Sequence, residues 1–266
     1  MKLVTIVIPV YKATISASEC ASFLQLFKVL GHHDVTVVTY KELDLTSYHC
    51  LIKEYSYRIT YFDRGYFDNL AGYNRLLLSK QFYGAFRDYT YILIYQLDAW
   101  VFFDDLVKWC GRGYDYIGAP WFSSDRTENE LPHFMGIGNG GFSLRKVKSH
   151  LSVLTRFAYI VRPAYFIGLF FNRLSYENFV VLLRSLTISN NTHYLLGKNN
   201  LYEDVFWGVI IRKYAWFKAP GMQEAAYFSM EVCARQLYEN NGRQLPFGCH
   251  AWEKYDPVFW ERFINE

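Results

Sequence analysis

Two short runs constrain this chain more than anything else in it: LVTIVIPV at 3–10 and YILIY at 91–95. Both are apolar at consecutive rather than alternate positions, so each needs cover on both of its faces. Runs of this length, rich in β-branched and aromatic residues, fit central strands of a parallel sheet better than buried helices. No apolar run reaches the roughly 18 residues of a membrane span. The nearest, 157–171, is interrupted by Arg162 and Pro163.

The intervening segments alternate as such a sheet requires. Ser16-Ala17-Ser18-Glu19 has capping-box spacing, and Cys20, Phe23, Leu24, Phe27 and Leu30 repeat at helical intervals up to Gly31. Strands are predicted at 35–40 and 58–62, and one helix at 69–86 leads into YILIY. The order strand–helix–strand–strand–helix–strand predicts an open, largely parallel α/β sheet. Beyond it the pattern predicts a strand at 114–121, a polar loop at 122–135, a glycine-rich turn at 136–141 and a strand at 142–144. Apolar helices over 146–190, a helix at 202–214 and an aromatic tail follow. With 266 residues and no repeat or linker, one domain is expected, its second half packed on the same sheet.

Composition narrows the function. A net charge of +3 with dispersed Lys and Arg excludes a nucleic-acid footprint, which needs a basic stripe. The 23 Tyr, 22 Phe and 7 Trp supply a core, and beyond it faces for stacking on bases and sugars. Five cysteines without a CxxC pair suit reduced thiols, and residues 1–12 read as a first strand rather than a secretory signal. The cytoplasm, or the inner face of its membrane, is the predicted location. At 157–186 apolar residues alternate with Arg162, Arg173 and Arg184. This predicts a helical hairpin packed on the domain or forming a homodimer interface, with a peripheral membrane contact as the other reading.

Ligands of open α/β sheets sit beyond the carboxyl ends of the strands. There YILIY runs into Gln96-Leu97-Asp98, and alternation points Gln96 and Asp98 the same way. A carboxylate so placed suits Mg²⁺ or Mn²⁺, or it caps a turn. Glu203-Asp204 opens a predicted helix, where carboxylates meet the positive end of the dipole. In Gly138-Asn139-Gly140-Gly141, glycines permit positive φ and close approach to a ligand. Gly136-x-Gly138-x-x-Gly141 matches a dinucleotide fingerprint by letter only, since no helix with a ribose-binding acid follows.

The strand with QLD, then GNGGFSLR, then Glu203-Asp204-Val205-Phe206-Trp207, in that order, resembles GT-A-type nucleotide-sugar glycosyltransferases. YILIYQLDAWVF, YDYIGAPW and PFGCHAWEKY resemble a narrower, little-characterised group within them, with Gln-x-Asp replacing Asp-x-Asp. The resemblance implies a GT-A-like three-layer α/β/α sandwich with a mostly parallel central sheet. Residues 1–121 would form the nucleotide-binding half, and 122–266 the acceptor side with an apolar insertion at 150–195. It implies a nucleotide-sugar donor, a glycan or lipid-linked glycan acceptor in surface glycan synthesis, and a divalent metal on Asp98 and His250. Gln96, lacking charge, would bond a ribose or a metal-bound water. Asp204 would be the general base of an inverting transfer, with Glu203 placing the acceptor or standing in for it. Val10, Tyr11, Asp63 and Asn74 would surround the base and ribose, Gly140 and Gly141 the donor sugar, Lys254 the departing diphosphate and Trp121 the acceptor. The rival reading is an inactive glycan- or nucleotide-binding module of the same fold. A nucleotidyltransferase fits less well, because Tyr11-Lys12-Ala13-Thr14 lacks a glycine-rich, basic first loop.

Overall fold

The two runs become neighbours at the centre of a sheet. In the computed structural model, which describes residues 1–123, 132–198 and 200–264, β1 (Lys2–Pro9) pairs in parallel with β2 (Asp34–Thr39) and with β4 (Tyr89–Tyr95). β3 (Arg58–Tyr61) extends the edge beyond β2. β9 (Phe142–Lys146) lies antiparallel to β4 and carries β6 (Tyr116–Ile117), giving the order β3-β2-β1-β4-β9-β6. β7 (Ala119–Phe122) and β8 (Phe134–Gly138) form a ribbon, while β5 (Ala99–Val101), β10 (Ser229–Met230) and β11 (Gly248–His250) form a small second sheet.

Thirteen α-helical segments connect them among the described residues: α1 (Ala17–Leu30), α2 (Thr46–Leu51), α3 (Leu70–Leu77), α4 (Lys80–Ala85), α5 (Leu106–Gly111), α6 (Val147–Thr155), α7 (Pro163–Asn172), α8 (Tyr176–Thr187), α9 (Thr192–Leu196), α10 (Glu203–Val205), α11 (Met222–Phe228), α12 (Ala234–Asn240) and α13 (Pro257–Ile264). Alternate residues of each central strand feed opposite cores. Ile6, Ile8, Leu93 and Tyr95 pack with Phe23 and Phe27 of α1 and Trp109 of α5. Val7, Ile92 and Ile94 pack with Leu76 of α3, Phe82 of α4, Val153 of α6 and Trp207. Helices therefore cover both faces of a mostly parallel sheet, the three-layer α/β/α sandwich that was expected.

Local chemistry decides where the prediction and the structure part. Ser16 and Glu19 form the expected capping box of α1. The single helix predicted at 69–86 is instead α3 and α4. Ser79 turns extended between them, and its hydroxyl accepts the Phe82 N–H to start a new helix. The strand predicted at 114–121 divides between two sheets as β6 and β7. The segment at 202–214 is helical, but α10 passes into a π-helical stretch (Phe206–Ile210) and a 3-10 turn (Ile211–Lys213). Most of the predicted loop at 122–135 lies outside the described residues.

The hairpin of α7 and α8 forms, but not as a layer of the domain: α7 contains no buried residue and α8 only Ser185. Among the described residues no helix is long and apolar enough to cross a membrane.

Candidate active site

Backbone register assembles the site. β4 ends at Tyr95, the Gln96 N–H donates to the Gly141 carbonyl at 2.7 Å, and the chain turns at once into β5. β11 pairs antiparallel with β5 so that His250 lies opposite Ala99, one residue beyond Asp98. β10 runs parallel to β11 with Met230 opposite Cys249, which delivers the next residue, Glu231, to His250. Gln96, 154 positions from His250 in sequence, and Glu231, 19 positions away, thus meet at one imidazole. His250 Nε2 lies 3.1 Å from Asp98 Oδ1 and 3.3 Å from Gln96 Oε1, and Nδ1 lies 3.1 Å from Glu231 Oε1. The other Glu231 oxygen accepts from the Trp121 indole N–H at 3.2 Å.

These contacts set the charges. Burial works to discharge His250, but hydrogen bonds and charge from Asp98 and Glu231 outweigh it and push its pKa up to about 10. Burial likewise works to raise the Asp98 carboxyl, yet His250 and, at longer range, Lys254 hold it below the usual carboxylate range. Lys254 itself is exposed and lies over the Tyr255 ring.

A cleft of about 390 Å³ opens beside this cluster, at the carboxyl ends of β1 and β4. Pro9, Val10, Tyr11 and Lys12 form one wall, Phe67 to Leu70 and Tyr73 another, and Gln96, Leu97 and Asp98 the floor. Glu19, also on the cleft, is fixed by its cap and by Lys12 at 2.8 Å. Its volume suits a drug-sized organic ligand.

On the other side of the glycine turn lies a second charged group. Arg145, fully buried on β9, holds Glu203 through two bonds, Nη1 to Oε2 at 2.7 Å and Nη2 to Oε1 at 2.9 Å. It also donates to the Tyr83 hydroxyl and the Ser143 hydroxyl. Asn74 fixes the backbone of the pair: its Oδ1 accepts the Glu203 N–H at 2.9 Å while its amide donates to the Leu70 carbonyl. Among the described residues, the neighbouring Asp204 has no cationic partner at hydrogen-bonding distance. Its Oδ1 accepts the Val205 N–H, and burial, reinforced by the Glu203 charge, pushes its carboxyl up to about 7.

Gly140 and Gly141 join the two clusters. A Cβ on Gly140 would lie 2.3 Å from Glu203 Oε1, and one on Gly141 would lie 2.0 Å from His250 Nε2 and 2.7 Å from Gln96 Oε1. Both positions need glycine for its missing side chain. The positive φ expected of them belongs instead to Asn139, whose Oδ1 accepts the N–H groups of Gly141 and Phe142. Gly141→Ala is therefore expected to displace His250 from Gln96. Titration should show the loss of any Mn²⁺ response, while overpacking lowers unfolding free energy by about 1–3 kcal/mol. An unchanged Mn²⁺ response in the folded variant would separate His250 from metal binding.

The remaining sequence candidates fall elsewhere. Asp63 is exposed, accepts the Gly65 N–H and caps a 3-10 turn, and does not line the cleft. Asn74 faces Glu203 rather than the cleft. Glu203, offered as an acceptor-positioning group or reserve base, has both oxygens engaged by Arg145. Sequence reasoning gave no role to Arg145 or Glu231. The signal for Arg145 was its place inside the buried strand FSLRK, where an arginine demands a partner. Glu231 carries none, because only the pairing of β10 with β11 brings it in. A further group of metal-ligating side chains, His32, His33 and Asp104, lies where β2 begins, away from the carboxyl ends of the strands.

No curated protein matches the chain. Among solved structures it is similar to mouse xyloside xylosyltransferase 1 in its apo form, at 10% identity over 94% of this chain and 96% of that one, TM-score 0.46. It is also similar to a glycosyltransferase involved in glycosylation of the major capsid of PBCV-1, at 10% identity over 99% and 98%, TM-score 0.40. The apo-form glycosyltransferase GlyE of Streptococcus pneumoniae TIGR4 matches at 11% identity over all of this chain but 61% of that one, TM-score 0.43. A family model matches residues 56–250, from β3 to His250. The chain belongs to the family described as "Protein of unknown function (DUF5672)".

Proposed function

We propose that the chain transfers a sugar from a nucleotide-diphosphate donor to a hydroxyl acceptor, with inversion at the anomeric carbon and a divalent metal beside the diphosphate. One observation supports the reading: the Gly140-Gly141 turn lies between His250, which contacts Asp98 and Gln96 at the end of the cleft, and Glu203, whose neighbour Asp204 has its carboxyl pushed up to about 7 by burial.

The donor set fits a metal that would take the place of the proton His250 Nε2 otherwise shares with Asp98. Separations of 3.1 and 3.3 Å from His250 Nε2 to Asp98 Oδ1 and Gln96 Oε1 approach those of neighbouring ligands on an octahedral ion with bonds of about 2.1 Å. Glu231 orients the imidazole from behind, as carboxylates behind metal-ligating histidines do. Asp98 and His250 would hold Mn²⁺ or Mg²⁺, with Gln96 as a neutral third ligand or a partner of its water. The ion would offset negative charge on the leaving diphosphate.

The chain's own groups account for the rest. The cleft holds the nucleotide, with Val10 and Tyr11 on its wall, and the diphosphate points to its Asp98 end. The acceptor hydroxyl attacks the anomeric carbon opposite the diphosphate, its proton passing to Asp204 as the carbon–oxygen bond to the diphosphate breaks. A base titrating near the working pH is favoured for such a transfer. Arg145 and Asn74 fix the side chain and backbone of Glu203, and through it the position of Asp204. The Trp121 ring, held by Glu231, offers a face for an acceptor sugar.

A thermal-shift comparison of UDP, GDP, dTDP and CMP, with and without Mn²⁺, tests the reading. One diphosphate at 100 times its dissociation constant should stabilise the fold by about 2.7 kcal/mol, which is a rise of roughly 5–10 °C. The shift should require Mn²⁺ and vanish in Asp98→Ala. Silence with every nucleotide would overturn the transferase reading in favour of a glycan-binding module.

A further inference from the structure

The turn of the α7–α8 hairpin concentrates apolar surface. Phe171, Leu174 and Tyr176 are 69%, 74% and 81% exposed, and all three lie at or beside that turn. In α7 no residue before Asn172 is more polar than Tyr165. A helix apolar around its whole circumference is normally buried. The hairpin's anchorage does not use this surface. At its base Asn190 bonds both the N–H and the carbonyl of Val161, Thr192 accepts from Ala158 and donates to Arg156, and the Tyr159 hydroxyl bonds Leu186. The Tyr214 hydroxyl in turn bonds the Tyr159 carbonyl. Polar clasps thus fix the hairpin to the domain and leave its apolar tip outward.

Charge identifies the occupant. Residues 156–198 contain Arg156, Arg162, Arg173, Arg184 and Lys198 against a single acid, Glu177, a net charge of +4. The whole chain carries +3, so the rest of it is net −1. Arg162, Arg173 and Arg184 are exposed, Arg173 in the turn and the other two at the base, so they bracket a surface that also exposes Tyr165, Ile167, Phe179 and Val181 along the two helices. Exposed aromatic and aliphatic groups beside arginines match the boundary between headgroups and acyl chains, where guanidiniums reach phosphates and rings enter the apolar layer. A second copy meeting this one through the same patch would bring the arginines together, and like charges so juxtaposed oppose association.

We infer that the α7–α8 hairpin docks the protein by lying along an anionic lipid surface, with Phe171, Leu174 and Tyr176 at its turn inserted, Arg173 beside them and Arg162 and Arg184 at its base against the lipid phosphates. This goes beyond sugar transfer and is independent of Asp98 and Asp204.

The test is density-gradient flotation of the full chain with vesicles of phosphatidylcholine, alone or mixed with phosphatidylglycerol. The chain should float with the mixed vesicles only, and added salt should release it. Phe171→Ser/Leu174→Ser/Tyr176→Ser should lower the bound-to-free ratio about tenfold or more, and Arg162→Glu/Arg173→Glu should do the same. All five positions are exposed, so melting temperatures should stay near the parent's. Failure of the folded parent to float overturns the proposal. So does equal flotation with neutral vesicles that ignores the arginine substitutions. A dimer in solution that the triple substitution dissociates, without flotation of the parent, would assign the patch to a second copy instead.

Discussion

Asp204→Asn is expected to lower turnover by about 10²–10⁴-fold and, above neutral pH, to make the protein more resistant to unfolding. Both effects follow from one carboxyl. Buried beside Glu203, Asp204 titrates near 7 rather than at the ordinary 3.8. Between those values the folded chain holds a proton that the unfolded chain releases. Stability contributed by this group is therefore complete below about pH 4 and falls as pH rises towards 7. Three units correspond to roughly 4 kcal/mol lost by the ionised form, as an upper bound for a single group. Asparagine does not ionise, so its stability should fall less steeply over that window. Denaturant melts of both proteins between pH 5 and 8 read the difference directly. For the parent, kcat/KM should climb with pH and level off above about 7. Near-normal turnover in the folded Asp204→Asn protein would remove Asp204 as base, whereas parallel pH–stability curves would remove its raised pKa.

Arg145→Met should destabilise the protein by about 3–5 kcal/mol, because it leaves a buried carboxylate without its cation. Glu203 is 2% exposed and Arg145 fully buried, so water cannot replace either partner. In Arg145→Met/Glu203→Leu both charges go, and most of the lost stability should return, since apolar residues of similar volume often replace a buried pair without penalty. Activity should follow a different course. Glu203 is a larger influence on Asp204 than Arg145 is, and in the opposite direction. Without both, the acid limb of the pH–rate profile should move to lower pH. A loss below about 1 kcal/mol in the single variant would show that the pair is not needed to hold this region.

What could be read from the sequence was what depends on near neighbours. YILIY declared a doubly buried strand, Ser16 and Glu19 a helix start, and Gln96 and Asp98 a shared direction at the end of β4. Their convergence on His250 depends instead on the register of β11 against β5, which no local pattern encodes. Glu231 is a stronger case: it follows a two-residue strand and reaches His250 only through that strand's pairing. Ser79 was misjudged because apolar spacing runs through it while its hydroxyl caps the following helix. The glycine turn was read for backbone freedom that Asn139 in fact supplies. The hairpin was legible as two helices, but the choice between packing on the domain and facing outward was not, because helical periodicity says which residues cluster and not whether the domain has room for them.

Helix α3 has a bearing on how such a protein could acquire a new donor. Tyr73 lines the cleft, and the next residue, Asn74, holds the Glu203 backbone that sets Asp204. Under the proposed function, a substitution that recentres this helix to admit a different nucleotide would also move the proposed proton acceptor. Donor choice and turnover would then be tied to one rigid turn of backbone, and variation that retunes one without eroding the other would come from cleft walls outside α3, such as Val10 and Tyr11.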